Sequence, residues 1–163
     1  MKKPIVIYNS EDVFELNNSA LHALKESANT SHLKRARICL HRSEEEAVQE
    51  MILCVYRGSY VRPHRHNGKS ESFHLIEGDL SVLLFDDEGE IFRRVELGAS
   101  GGNKNLLYRL SVNAWHTILP RTEFVIFHEV TNGPFVRSDT EYAKWSPHES
   151  EIDEVERYMK KIS

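Results

Sequence analysis

Hydrophobic positions in this chain recur at two different periods. Leu21, Leu24 and Ala28 fall at helical spacing within residues 10–30, which predicts a helix that Asn17, Asn18 or Ser19 can cap. From residue 35 the texture changes to short runs and alternations. Residues 35–41 alternate, 51–56 form a dense run of β-formers, and 59–66, 71–77 and 80–85 follow as further strands. Asp86-Asp87-Glu88-Gly89 predicts a hairpin into 91–97, with Gly89 free to take positive φ. A glycine-rich loop over 98–103 leads to strands at 105–110, 116–119 and 123–131. A last helix is predicted over 147–160, with Ile152, Val155 and Met159 on one face. Glu149, Glu151, Asp153 and Glu154 near its start and Lys160-Lys161 at its end suit the helix dipole.

Many short strands without helices between them predict a mainly β protein, a sandwich or a barrel. The 163 residues suit one domain: a helical extension over 1–34, a barrel over 35–146 and a closing helix over 147–163. No apolar run approaches the roughly 18 residues that span a bilayer, and Ile5-Val6-Ile7 is too short for a signal-peptide core. A cytoplasmic protein with no membrane partner is expected. Cys39 and Cys54 are too few for a disulfide framework and lack zinc-knuckle spacing, so they read as buried thiols. A net charge of −4 argues against a nucleic-acid partner. What stands out is nine histidines.

Two of them fall in the stretch from Gly58 to Glu71. On an extended strand His64 and His66 point the same way. The turn-forming Asn67-Gly68-Lys69-Ser70 brings Glu71 on the next strand back beside them, and His116 on a later strand adds a fourth ligand if the sheet closes. Imidazoles and a carboxylate suit one divalent transition metal, whether Zn, Fe, Mn, Ni or Co. Strand parity places Tyr60 and Arg62 in the same bowl, with Phe73 and Leu75 beneath the metal and His74 outward. Arg62 would hold a ligand's carboxylate or phosphate, unless it pairs with Glu77 or another carboxylate. Arg35, Arg37, Cys39 and His41 share a face, either as an anion-binding stripe or as the solvated face of an edge strand. Tyr108 and Arg109 precede the metal strand and read similarly. One of His128 and Glu129 faces the pocket, and parity alone leaves open which. His41, Tyr60 and Glu129 are thus the candidates to move a proton; Arg35, Arg37, Arg62, Tyr108 and Arg109 are the candidates to bind substrate. His22, His32 and His148 read as structural or solvated.

Gly58, His64, His66, Glu71 and Gly78 match every fixed position of the first motif of the cupin superfamily, G(X)5HXH(X)3–4E(X)6G, which this chain resembles. The second motif is matched by His116 alone; its glycines and asparagine are absent, and Pro120 stands at the asparagine position. A narrower resemblance covers nearly the whole domain. It rests on Arg35-Ala36-Arg37-Ile38-Cys39-Leu40-His41, Pro63-His64-Arg65-His66, Trp115-His116-Thr117, Gly133-Pro134-Phe135 and Tyr142-Ala143-Lys144-Trp145-Ser146-Pro147. These look like the WbuC-type cupin-fold metalloproteins of bacterial O-antigen and related polysaccharide clusters. The resemblance implies a single jelly-roll barrel (a double-stranded β-helix) with its metal on His64, His66, Glu71 and His116. The resemblance stops short of a substrate; the cationic side chains at ligand-facing positions suit a small-molecule ligand, a sugar or sugar nucleotide. Cupins often pair, so a homodimer is expected, with Tyr142 and Trp145 at its surface, unless Trp145 is an aromatic plug for the barrel. Three functions follow: isomerase- or epimerase-like proton transfer at the metal, a non-catalytic saccharide-binding or assembly module, or an iron oxygenase with Cys39, Tyr60 and Trp115 as oxidisable neighbours.

Overall fold

A computed structural model describes residues 5–100 and 102–163; residues 1–4 and Gly101 of the glycine-rich loop lie outside the described residues. The chain runs β1 (Ile5–Tyr8), α1 (Asn18–Thr30), β2 (Arg35–Cys39), β3 (Val48–Tyr56), β4 (His64–His66), β5 (Glu71–Glu77), β6 (Asp79–Phe85) and β7 (Ile91–Gly98). It continues with β8 (Leu107–Leu110), β9 (Trp115–Pro120), β10 (Phe124–Asn132), a 3-10 turn (Arg137–Asp139), β11 (Thr140–Tyr142) and α2 (Ile152–Ile162). Two sheets face each other, one ordered β1-β2-β3-β10-β5-β8 and the other β11-β4-β9-β6-β7. Apart from the parallel pair β1–β2, the strand pairings are antiparallel. This is the expected single jelly-roll barrel of two facing sheets, with an N-terminal and a C-terminal helix. Among the described residues no helix is long and apolar enough to cross a membrane.

Alternation along the strands sorts the apolar side chains into three layers. Val55, Phe73, Leu75, Val82, Leu84, Ile118, Val125 and Phe127 fill the space between the sheets. The opposite face of the six-stranded sheet, through Ala36, Ile38, Ile52, Cys54 and Ile126, packs against Leu24 and Ala28 of α1. The outer face of the other sheet, through Leu83, Phe85, Trp115 and Leu119, packs against Tyr158, Met159 and Ile162 of α2 and the side chain of Trp145. Cys39 and Cys54 are buried and free.

The differences from expectation have local causes. The first helix starts at residue 18, with Asn17 Oδ1 accepting the Ala20 N–H at 3.0 Å. Phe14 and Leu16 stand two apart, a spacing one helical face cannot bury, and both pack on the α1 cluster from an irregular segment. The strand expected over 59–66 is only His64–His66, because Pro63 has no N–H to give a ladder. Strands β1 and β11 were not anticipated. The first is built from the Ile5-Val6-Ile7-Tyr8 run tested above only as a signal-peptide core, and the second is three residues at a sheet edge. The last helix begins at Ile152 rather than near 147. The 86–89 hairpin forms as expected: Gly89 has φ +88°, and a Cβ there would sit 2.7 Å from Trp145 Cδ2.

Candidate metal centre

His64 and His66 sit on β4, and His116 on the neighbouring β9, paired directly opposite His64. One ring nitrogen from each lies within 4.8 Å of the others, an arrangement that can hold one metal ion. The orientation of each ring is fixed from behind. His64 Nδ1–H donates to Arg62 O at 2.9 Å and His116 Nδ1–H to Ala114 O at 3.0 Å. A carbonyl oxygen only accepts, so both Nδ1 atoms carry hydrogen and both Nε2 lone pairs are left for the centre. His66 Nδ1 lies 3.2 Å from Thr140 Oγ1, supplied by β11.

Glu71 approaches differently from the way its spacing suggested. β4 and β5 belong to different sheets, so the 67–70 turn carries the chain across the bowl instead of closing a ladder. Its carboxylate, 3 % exposed, faces His116 Nε2 at 3.0 Å and His66 Nε2 at 3.6 Å. Glu71 Oε1 and His116 Nε2 are both buried with no hydrogen-bond partner. Two lone pairs aimed at each other repel unless a cation or a proton lies between them. In the metal-free protein a proton does: burial opposes charge on Glu71, but His116, His64 and His66 hold its carboxyl below the ordinary range. Burial likewise opposes charge on His116, and Glu71 outweighs it to raise the imidazole. Burial, with His116 and His66 beside it, lowers His64 to about 3, so its ring is neutral and ready as a ligand. The three imidazole nitrogens fit a divalent first-row metal that His64, His66 and His116 would hold; the carboxylate of Glu71, expected as a fourth ligand, lies against His116 and His66 but outside that mutually close group.

On β10, Val125 and Phe127 enter the inner core, and alternation puts Glu129 on that face, pairing with Phe73 and Met51. His128 faces outward and meets Glu50 Oε1 at 2.8 Å. Burial first, then the charge of Glu71, raises the Glu129 carboxyl to about 8, against the pull of Arg37 and His116. Arg37 lies on the inner face of β2, and the buried hydroxyl of Tyr108 lies on β8 beside Phe73. Phe73 and Leu75 form the apolar floor, and His74 is exposed, as parity indicated.

Other candidates are not brought to the imidazoles. Pro63 breaks the parity argument, and both side chains that relied on it turn to the C-terminal segment. Tyr60 OH donates to Pro147 O at 2.9 Å, its ring edge-on to Tyr158. Arg62 binds Ala143 O, Ser146 O and Ser146 Oγ at 2.9, 3.2 and 3.1 Å. Arg35 is committed to Tyr60 O at 2.7 Å and Glu149 at 3.1 Å. Arg109 lies outside, on Ser70 and Ser72. His41 Nδ1 accepts the Glu50 N–H at 3.0 Å and its ring meets Tyr8 edge-on. Sequence reasoning missed Thr140, whose partner lies 74 positions away, and Arg65, which joins Glu141 at 2.7 Å to the face of Trp115 at 4.1 Å. Tyr142, half exposed, stands at the rim 6.2 Å from the His64 ring.

A family model described as a domain of unknown function (DUF6016) matches residues 16–97, just over half of the chain, taking in His64, His66 and Glu71 but not His116. No curated protein matches. Similar solved structures include protein SO0799 from Shewanella oneidensis, with TM-score 0.55, 14% identity and coverage of 65% of this chain and 72% of that one. They also include the capsular polysaccharide assembling protein CapF from Staphylococcus aureus, with TM-score 0.51 and 16% identity. That match covers 61% of this chain and 29% of CapF, so this chain corresponds to a minor part of that longer protein. A cupin superfamily protein from Desulfitobacterium hafniense matches with TM-score 0.47 and 12% identity, over 60% of this chain and 76% of that one. At these identities the likeness concerns the fold.

Proposed function

This chain belongs to the family of unknown function whose model spans residues 16–97, and we propose that it is a metal-binding cupin enzyme that moves a proton on a sugar or nucleotide sugar in bacterial polysaccharide biosynthesis. The observation that carries the proposal is the inward cluster of His64, His66 and His116, with Glu71 and Glu129 together on the facing wall of the six-stranded sheet. The polysaccharide assignment is supported by the O-antigen resemblance and by the shared fold with a capsular polysaccharide assembling protein.

A divalent metal at the cluster supplies a Lewis acid for a carbonyl or adjacent hydroxyls of the substrate. The chain's own residues do the rest. His64 and His116 present Nε2 because backbone carbonyls hold their Nδ1–H groups. Phe73, Leu75 and Phe127 exclude water beneath the reacting carbons. Glu129, with its carboxyl near 8, holds a proton at pH 7 yet gives it up readily, which suits an acid–base group working close to neutrality. His41 and Tyr60 are engaged with backbone elsewhere, which leaves Glu129 in that role among the three candidates.

Deuterium exchange tests the proposal. Metal-loaded protein is incubated in D2O with a panel of sugars and nucleotide sugars, and carbon-bound hydrogens are followed by NMR. Exchange at one sugar carbon is expected, falling about 10²–10⁴-fold in Glu129→Gln with metal content unchanged. No exchange on any member of the panel, or exchange indifferent to Glu129, contradicts it.

A further inference from the structure

The inner wall of the six-stranded sheet carries polar atoms that the protein leaves without partners. Arg37 Nε is buried with no acceptor, and the rest of its guanidinium meets only sulfur, Met51 Sδ at 4.0 Å from Nη1 and the thiol of Cys39. Tyr108, 7 % exposed, has a buried hydroxyl with no partner. Glu129 stands on the same inner face, opposite Met51 on one side and Phe73 on the other. Buried donors and acceptors are normally paired, and orphans on one wall of a functional bowl are what a bound ligand satisfies. The arginines nearby are already committed: Arg35 to Glu149, Arg62 to the 143–146 backbone, Arg65 to Glu141 and Arg109 to surface serines.

We propose that Arg37 binds the single carboxylate of a sugar acid, an aldonate or uronate, whose hydroxyls reach the metal centre and the side chain of Glu129. This rests on the proposed metal site and narrows its substrate. Three observations set the class. The guanidinium fork matches a planar carboxylate. Away from the metal centre, Arg37 is the cation among the buried unpaired groups of this wall, so a single carboxylate is met there and a second anionic group is not. Glu71 and Glu129 stand on the same wall, where a phosphate dianion or a diphosphate would meet carboxyl groups instead of cations. A nucleotide, if the natural substrate carries one, stays outside the bowl.

Calorimetric titration with D-gluconate, D-glucose and glucose 6-phosphate, on zinc-loaded and on metal-free protein, tests this. Gluconate should bind the wild type at least about tenfold more tightly than either comparison compound, as expected for a buried charge-assisted pair. In Arg37→Met the preference over glucose should fall below about threefold at unchanged metal content. If that variant does not fold, Arg37→Lys, which keeps the charge and loses the fork, should still cost most of the preference. Equal affinity for gluconate and glucose, tighter binding of glucose 6-phosphate, or a preference that survives loss of Arg37 each overturns the proposal. A gluconate preference dependent on Arg37 in a protein that takes up no metal would sustain this subsite and sink the metal centre. Metal uptake without the preference would do the reverse.

Discussion

Thr140 is the residue whose role the fold reveals and the chain order hides. Its hydroxyl, 3.2 Å from His66 Nδ1, holds the one imidazole of the three that no backbone carbonyl orients. Removing such a support should cost about 10–100-fold in metal affinity, so Thr140→Val should bind zinc that much more weakly in a competition titration with a coloured chelator. Unchanged affinity would show that β11 alone orients the ring. Glu129 makes a prediction in pH. Its carboxyl stays protonated to about 8 in the folded protein, against an ordinary 4.5, so folding takes up a proton between those values. A raised carboxyl confers stability that is complete below the unfolded value and lost as pH rises through the folded one. Metal-free wild type should therefore lose melting temperature relative to Glu129→Gln between about pH 4.5 and 8. Parallel curves would place the carboxyl in water rather than in the bowl.

Among the elements, those with strong internal periodicity were legible in the sequence, and those made by distant partners were not. Strand β5 keeps the bounds its alternation gave, and parity along it placed Glu71, Phe73 and Leu75 inward and His74 outward. Parity failed between residues 60 and 64 for want of one backbone N–H at Pro63, and with it went the expected placement of Tyr60 and Arg62. It also left His128 and Glu129 undecided, because a strand covered by α1 on one face and the core on the other is apolar on both. The segment from β11 to Pro147 has little pattern of its own; Arg62, Tyr60 and Arg65 hold it. Arg62→Met removes bonds to Ala143 O, Ser146 O and Ser146 Oγ, and should cost about 1.5–3 kcal/mol. The loss should show in chemical denaturation, together with faster proteolysis after residue 140. A tail that stays as resistant as in wild type would mean that Trp145, Tyr158 and Met159 hold it by packing alone.

For the molecule as a whole, the jelly roll brings together ligands that the chain separates. The three imidazoles stand on the five-stranded sheet and Glu71 on the six-stranded one, so a metal bound by all four joins the two sheets at the mouth. Glu71 Oε1 and His116 Nε2, buried, 3.0 Å apart and with no partner beyond each other, face the place that such a metal would take. The most direct test is the metal content of protein purified without chelator, by plasma mass spectrometry, beside a His64→Ala, His116→Ala double variant. About one equivalent of a divalent transition metal is expected in the wild type and almost none in the variant, since two of four ligands are gone. A wild type that is metal-free and cannot be reloaded, or a variant that retains its metal, would contradict the account.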